Sequence, residues 1–349
     1  MSVAKMKDGK RWYAFIRYKD WAGKTRQHKK EGFQRKSDAQ QYEREFRQKI
    51  EGSPDMTVKA LRDLYMEDCK ARLRVTTIGT KSHLIRNHIL PAFGDVAISD
   101  LTPANIRLWQ NQLVKQGLKP STIKMINAQL SAMLNFAVKY YGLNRNPCVM
   151  AGPVGSLKTR EMSFWTPEQF EQFLPHVRDL TARTMYFLLF WTGMRVGEAM
   201  ALTPGDFDFT VPAVKIGKTY HRLNGQDIFT PPKTEGSKRI IILTDKTSEV
   251  MQHFISTLFA HDDDTRIFAP RSISFFRVKL KQGCKDAGME PIRIHDLRHS
   301  RASLMIELGY SPLLIAERLG HESVDTTLKT YSHLYPNKQV DLVKRLNRL

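Results

Sequence analysis

Hydrophobic positions change their spacing along the chain, and each change marks a division. Residues 11–18 (Arg-Trp-Tyr-Ala-Phe-Ile-Arg-Tyr) are rich in aromatic and β-branched types, as strands are. Trp21-Ala22-Gly23-Lys24 predicts a turn, and 25–33 a second strand. Ser37, with Gln40 at the third helical position, predicts a helix start; the helix should run to about residue 50 and stop before Gly52-Ser53-Pro54. From residue 57 the spacing becomes helical. Thr57 is a cap for a helix with Val58, Leu61 and Tyr65 on one face. Thr102-Pro103 opens another, carrying Ile106, Trp109 and Leu113. The turn at 117–120 leads into a third, striped by Ile123, Leu130, Leu134 and Ala137 and ending at Gly142. These stripes read as core, not as a ligand site. Asn146-Pro147, Gly152-Pro153 and Gly155 make a second break. Thr166 and Gln169 form a capping box, and helices should follow to about residue 202. Strand signals then appear at 213–220, 226–230 and 239–243, separated by Asn224-Gly225 and Glu235-Gly236. Helices return to the end, where 336–349 reads as a short amphipathic helix with Val340, Val343 and Leu346 on one side.

The pattern predicts a mainly α protein with small β-sheets, of the α+β class. Residues 1–52 form a small sheet-plus-helix unit and 57–145 a helical domain; 146–164 is a linker, and 165–349 a mixed helical domain with a three-stranded sheet. The 349 residues are 41% hydrophobic, enough to fill real cores, which excludes wholesale disorder. The longest strong apolar run, 185–191, is far shorter than the roughly 20 residues that cross a bilayer. The first residues hold no apolar stretch that would serve as a signal peptide. Cys69, Cys148 and Cys284 are odd in number and far apart, so they build neither a disulfide framework nor a zinc ribbon, and a reducing, cytoplasmic compartment is expected.

Charge adds a partner to this picture. The net charge is +20, and so basic a chain calls for a polyanion, nucleic acid first. The excess is uneven: residues 1–50 hold fifteen Lys and Arg against six Asp and Glu. A small sheet with a basic outer face suits a DNA groove.

Four segments of the last domain place polar residues where a core would not want them. Thr192-Gly193-Met194-Arg195-Val196-Gly197-Glu198 follows directly on the apolar run. Arg195 there needs an anionic partner, because an unpaired buried charge is very costly; Glu198, three residues on, is placed to be that partner, either in a purely structural ion pair or to hold the guanidinium out toward a phosphate. Lys233 lies in the turn after Thr230-Pro231-Pro232, and taken alone it is an ordinary solvated lysine. In His295-Asp296-Leu297-Arg298-His299-Ser300, His295 and Arg298 share a helical face. His295 and His299 also have a zinc-like spacing, but Arg298 would repel a cation and a third ligand is lacking. His299 reads as a buried structural residue. Gly320-His321-Glu322 precedes Thr326 to Tyr331 in the fourth segment.

Taken in order, these motifs resemble the tyrosine recombinase, or phage-type integrase, family. T-G-x-R-x-x-E matches Thr192 to Glu198, a β-turn Lys matches Lys233, H-x-L-R-H matches His295 to His299, and G-H matches Gly320-His321. A nucleophilic Tyr about ten residues on matches Tyr331. The resemblance covers 165–349 firmly. Residues 57–145 are similar to the family's helical core-binding domain, and 1–50, more weakly, to its arm-binding domain. Ser300 stands where Thr is frequent, and Lys218 and Lys238 lie on the same strands as Lys233.

The resemblance implies a site-specific recombinase that cuts and rejoins DNA through a 3′-phosphotyrosyl bond, integrating and excising a mobile element. Arg195 and Arg298 would neutralise the charge that builds on the phosphate oxygens. His295 and His321 would add hydrogen bonds, and one of them would take the Tyr331 proton. Lys233 would protonate the leaving 5′ oxygen, with Glu198 and His299 in support. No metal or other cofactor is called for. Tyr335 is a rival nucleophile. The implied partners are core and arm attachment sites in double-stranded DNA and a homo-tetramer on them, with an excisionase and a DNA-bending protein as candidate helpers and no membrane. In the family, tails such as 336–349 dock on a neighbouring subunit. A type IB topoisomerase and a cleavage-inert DNA-binding protein of the same fold are the alternatives.

Overall fold

The computed structural model describes residues 3–6, 9–19, 25–51, 56–156, 162–223, 225–232, 235–258 and 262–334. Lys233, Tyr335 and the tail 336–349 lie outside these residues. The chain divides into two compact units, 1–159 and 160–349.

The first unit opens with an antiparallel sheet in the order β1 (Val3–Lys5), β2 (Trp12–Lys19), β3 (Thr25–Phe33). The two longer strands match the sequence reading. β1 was not anticipated, since three residues carry too little pattern, and it pairs with β2 from Val3 opposite Ala14 to Lys5 opposite Trp12. The register slips between Trp12 and Tyr13, opposite Gly32, whose φ of +96° a side chain would resist. Helix α1 (Lys36–Glu51) covers the sheet and buries Ala39 against Val3 and Ala14. It starts before Ser37, whose hydroxyl bonds Asp38 within the first turn and does not cap the helix.

The helical part of this unit contains α2 (Val58–Arg72), α3 (Val75–Leu84), a π turn at Ile85–Ile89, α4 (Leu90–Phe93), α5 (Pro103–Lys115) and α6 (Pro120–Tyr140). Thr57 and Thr102 cap α2 and α5 as expected, each accepting a backbone N–H at 3.2 Å. α3 and α4 escaped the reading. Their Thr-, Gly- and His-bearing stretch has weak amphipathic spacing; Leu84, Ile85, Ile89 and Phe93 are buried, with Ile78 and Leu90 packed more loosely against the same core. The segment expected to open as linker instead carries α7 (Pro147–Ala151), capped by Asn146, with Cys148 and Ala151 in the same core.

The second unit packs helices around one large core. The capping box of Thr166 and Gln169 opens α8 (Pro167–Phe173), with both reciprocal hydrogen bonds formed. α9 (Leu180–Thr192) is buried almost all round, as its unbroken apolar run requires, and stacks Phe190 on Phe170 with centroids 4.0 Å apart. After α10 (Val196–Ala199) come two ladders. One is three-stranded, in the order β4 (Phe207–Asp208), β5 (Ala213–Ile216), β8 (Arg239–Ile242); the other is the hairpin of β6 (Thr219–Leu223) with β7 (Gln226–Thr230). The three predicted strands thus split between two sheets. The stretch read as one strand over 213–220 breaks at Gly217, and 226–230 pairs only with β6. Helices α11 (Asp245–Ser256), α12 (Ile273–Asp286), α13 (Asp296–Glu307), α14 (Pro312–Leu319) and α15 (Val324–Tyr331) complete the described part.

Candidate active site

Two glycines bring the site's arginines together. α9 ends at Gly193 and α14 at Gly320, both in the left-handed conformation, with φ of +71° and +69°. A Cβ on Gly193 would come within 2.7 Å of Leu319 Cδ2, and one on Gly320 within 2.8 Å of Arg239 Nη1. The two turns therefore abut closely, and the arginines are fixed across the gap. Arg195 Nη2 donates to the Gly320 carbonyl at 3.0 Å, and Arg298 Nη1 to the Gly193 carbonyl at 2.8 Å.

Glu198 anchors this arrangement from below. It is 1% exposed, yet its carboxylate has three donors: the Arg195 backbone N–H at 2.9 Å, Arg195 Nη1 at 2.8 Å and Arg239 Nη2 at 2.9 Å. Burial alone would push this carboxyl upward; Arg239 first, then Arg195, hold it below the usual carboxylate range. Arg239 also donates to the carbonyls of Arg318 and Ser237, and Ser237 Oγ donates to the Gly320 carbonyl at 3.3 Å. Arg298, 3% exposed, keeps one unpaired buried donor, Nη2, among the described residues. Its guanidinium is lowered by burial and by the neighbouring Arg195 charge, with Glu198 pulling the other way.

Three imidazoles surround the arginines. His295 stands just before α13, and its ring meets that of His299 edge-on, with centroids 5.0 Å apart. His321 follows Gly320, and its Nδ1 bonds the Thr327 hydroxyl at 2.8 Å. Desolvation, followed by positive neighbours, pushes both His295 and His321 down to about 4, so both are neutral at pH 7. His299 Nδ1 reaches the Tyr331 hydroxyl at 2.6 Å. Tyr331 ends α15, is 1% exposed, and packs among Ala302, Met305, Ile306, Ile315 and Leu319. Burial raises its phenol to about 12, with Arg298 opposing the rise.

The structure thus brings Arg195, Glu198, His295, Arg298, His299, His321 and Tyr331 into one domain with the expected Arg195–Glu198 pair formed. Lys233 and the rival Tyr335 fall outside the described residues. Lys218 is committed to Asp206 at 3.1 Å. His299 touches the tyrosine oxygen directly, more than the structural role expected of it. Sequence reading passed over Arg239, Thr327 and Asp296. The buried Asp296 carboxylate binds the Arg293 side chain and backbone N–H, tying down the turn before His295 and Arg298. Ser300, the departure from Thr, is 1% exposed, accepts from Trp165 N and donates to the Asp296 carbonyl, both at 2.9 Å. Among the described residues no group of three His, Cys, Asp or Glu side chains is placed to hold a metal ion, and no helix is long and apolar enough to cross a membrane.

Two arginines anchored on abutting turns, with imidazoles and a buried tyrosine hydroxyl beside them, are groups suited to phosphodiester transfer through a phenolic nucleophile. The sequence pattern of the phage integrase family matches residues 163–338, that of the phage integrase N-terminal SAM-like domain 57–114, and that of the arm DNA-binding domain 1–50. The ICEBs1 integrase of Bacillus subtilis strain 168 is 32% identical over 321 residues, covering 88% of this chain and 87% of its own. Among solved structures, the Tn1549 transposon integrase in complex with a circular intermediate DNA superposes with a TM-score of 0.70 at 20% identity, over 84% of this chain and 99% of that one. A lambda integrase dimer bound to a core site superposes at 0.61 and 17% identity, over 97% and 95%. The chain belongs to the phage integrase family and has the tyrosine recombinase fold. It is a site-specific tyrosine recombinase, a DNA strand transferase.

Proposed function

We propose that this recombinase is the integrase of a mobile genetic element and that Tyr331 is its nucleophile. The observation that carries the assignment is the crossed anchoring of Arg195 and Arg298 on the Gly320 and Gly193 carbonyls, with Arg298 keeping a free buried donor and acting electrostatically on Tyr331. Two guanidinium forks held this way suit the non-bridging oxygens of a phosphodiester, whose charge grows as the phosphorus becomes five-coordinate. His295 and His321, neutral at working pH, donate hydrogen bonds to the same oxygens. Glu198 fixes Arg195, and Lys233 protonates the departing 5′ oxygen. The 3′-phosphotyrosyl bond conserves the energy of the broken ester, so a 5′ hydroxyl of the partner duplex reverses the step without ATP. Permanently charged arginines supply the electrostatic stabilisation that a metal ion provides in other enzymes.

Domain 57–145 and domain 165–349 grip the core site, while 1–52 holds a separate arm site, so that one subunit bridges two DNA segments. Likeness to proteins described as bound to a core site, to a circular intermediate and, as a tetramer, to a Holliday junction supports a tetramer of this chain on double-stranded DNA. The tail 336–349 links neighbouring subunits, and an excisionase and a DNA-bending protein set direction. Work inside the bacterial cytoplasm follows from that substrate.

A nicked suicide substrate, which loses its 5′-hydroxyl fragment after cleavage, tests the chemistry. The wild type should accumulate a covalent protein–DNA adduct, and Tyr331→Phe should form none while binding the same DNA. A Tyr331→Phe protein that still became cross-linked would transfer the role to another residue.

A further inference from the structure

The geometry points to His299 as the base that takes the Tyr331 proton, in place of either of the two imidazoles expected to do so. The inference rests on the proposed nucleophile and adds one group to its chemistry.

Of the three imidazoles, His299 is the one bonded to the tyrosine oxygen. Its Nδ1 lies 2.6 Å from Oη, whereas His321 has Nδ1 engaged by Thr327. The Tyr331 hydroxyl is a donor and His299 is held neutral, so Nδ1 accepts. The contact is enclosed, because Tyr331 is 1% exposed and closed in by Met305, Ile306, Ile315 and Leu319. A phenol in such a place, raised to about 12 by burial, does not ionise on its own at neutral pH, so its proton must leave as the oxygen attacks.

The step balances as follows. The Oη lone pair forms the bond to phosphorus, the P–O5′ bond breaks, the Oη proton passes to Nδ1 of His299, and O5′ takes a proton from Lys233. His299 is partly exposed, so water can then remove the proton from the imidazolium.

The charges around His299 fit this role. Burial holds its pKa below the ordinary 6.5; Asp296, on its own helix, pulls upward, while Arg293, in the preceding turn, and Arg298, one position earlier, pull downward. His295 stands edge-on to its ring, and Tyr331 faces it from α15. A lowered pKa keeps the base free down to mildly acidic pH. The adduct-forming rate should therefore be flat at and above neutrality and fall only once pH drops below the His299 pKa.

The test measures the rate of covalent adduct formation on the nicked substrate from pH 5 to 9.5, using the full chain as wild type, His299→Asn and His299→Leu. DNA affinity of each is measured alongside. Both variants should bind DNA like the wild type and lose about 100-fold or more in rate at pH 7, within the range general bases supply. Their residual rates should climb tenfold per pH unit where the wild type is flat, because hydroxide then replaces the base. His299→Asn keeps a hydrogen-bonding group of similar reach, so it decides the matter if the leucine variant fails to bind DNA. Wild-type rates and an unchanged profile in His299→Asn would overturn the inference. So would a faster rate, which would make His299 a restraint on the tyrosine. If the wild type forms no adduct, the proposed function fails instead, and the two failures are distinct.

Discussion

At the scale of single residues, Glu198 holds the most of the site together. One buried carboxylate serves two arginines, and Arg239, only 7% exposed at its side chain, has no water to fall back on. Removing one partner of a buried pair leaves an uncompensated charge and costs about 3–5 kcal/mol. Glu198→Ala should therefore lower unfolding stability by that order in denaturant titrations, far more than removal of the exposed ion pair between Lys29 and Glu31. A loss under 1 kcal/mol would show that the arginines find other partners. Arg195 and Glu198 were legible because their partnership lies within three residues and follows an apolar run. Arg239 was not, because its carboxylate is 41 residues away and a lone arginine beginning a strand looks like an edge charge. The bond between His299 and Tyr331 spans 32 residues, and spacing within one segment cannot register it.

At the scale of elements, the site is built from helix ends. α9 and α14 each stop on a left-handed glycine, and the chain then delivers Arg195 or His321 within two residues. Gly320→Ala should cost more than the strain of the left-handed backbone, roughly 1–2 kcal/mol, because the new Cβ also meets Arg239 Nη1. Gly117→Ala, at φ +71° with open space around it, carries the strain alone and is the internal control. Equal destabilisation of the two would show that the abutting turns have room to part. Long elements with clear signatures were readable: the threonine caps of α2 and α5, the capping box of α8, and the apolar α9. Short elements were not. β1 has three residues and α7 five, too few for any period to repeat, and both exist because longer neighbours offer them edges and pockets. Pairing of strands was equally hidden, since the split of β5 and β8 from β6 and β7 is decided by packing and not by alternation.

For the whole molecule, the charge of +20 becomes a measurable quantity. If the core and arm domains each neutralise backbone phosphates, DNA affinity should fall by roughly 10³–10⁵ between 50 and 200 mM salt, as for proteins making 6–10 phosphate contacts. Deleting 1–50, which hold fifteen of the 55 Lys and Arg, should flatten that slope on DNA carrying both site types. An unchanged slope would remove the first fifty residues from the DNA interface. The crossed anchoring of Arg195 and Arg298 has a further consequence for the life of the polypeptide. Arg195 is fixed by residue 320, Arg298 by residue 193, and the tyrosine oxygen lies at 331 against residue 299. With Tyr331 as the proposed nucleophile, a polypeptide still on the ribosome, or cut short by a nonsense codon or a frameshift before its last helices, would carry the basic DNA-seeking residues without the group that cuts. On that assignment a half-made recombinase should nick nothing, and a truncation ending before residue 320 should form no covalent adduct on DNA.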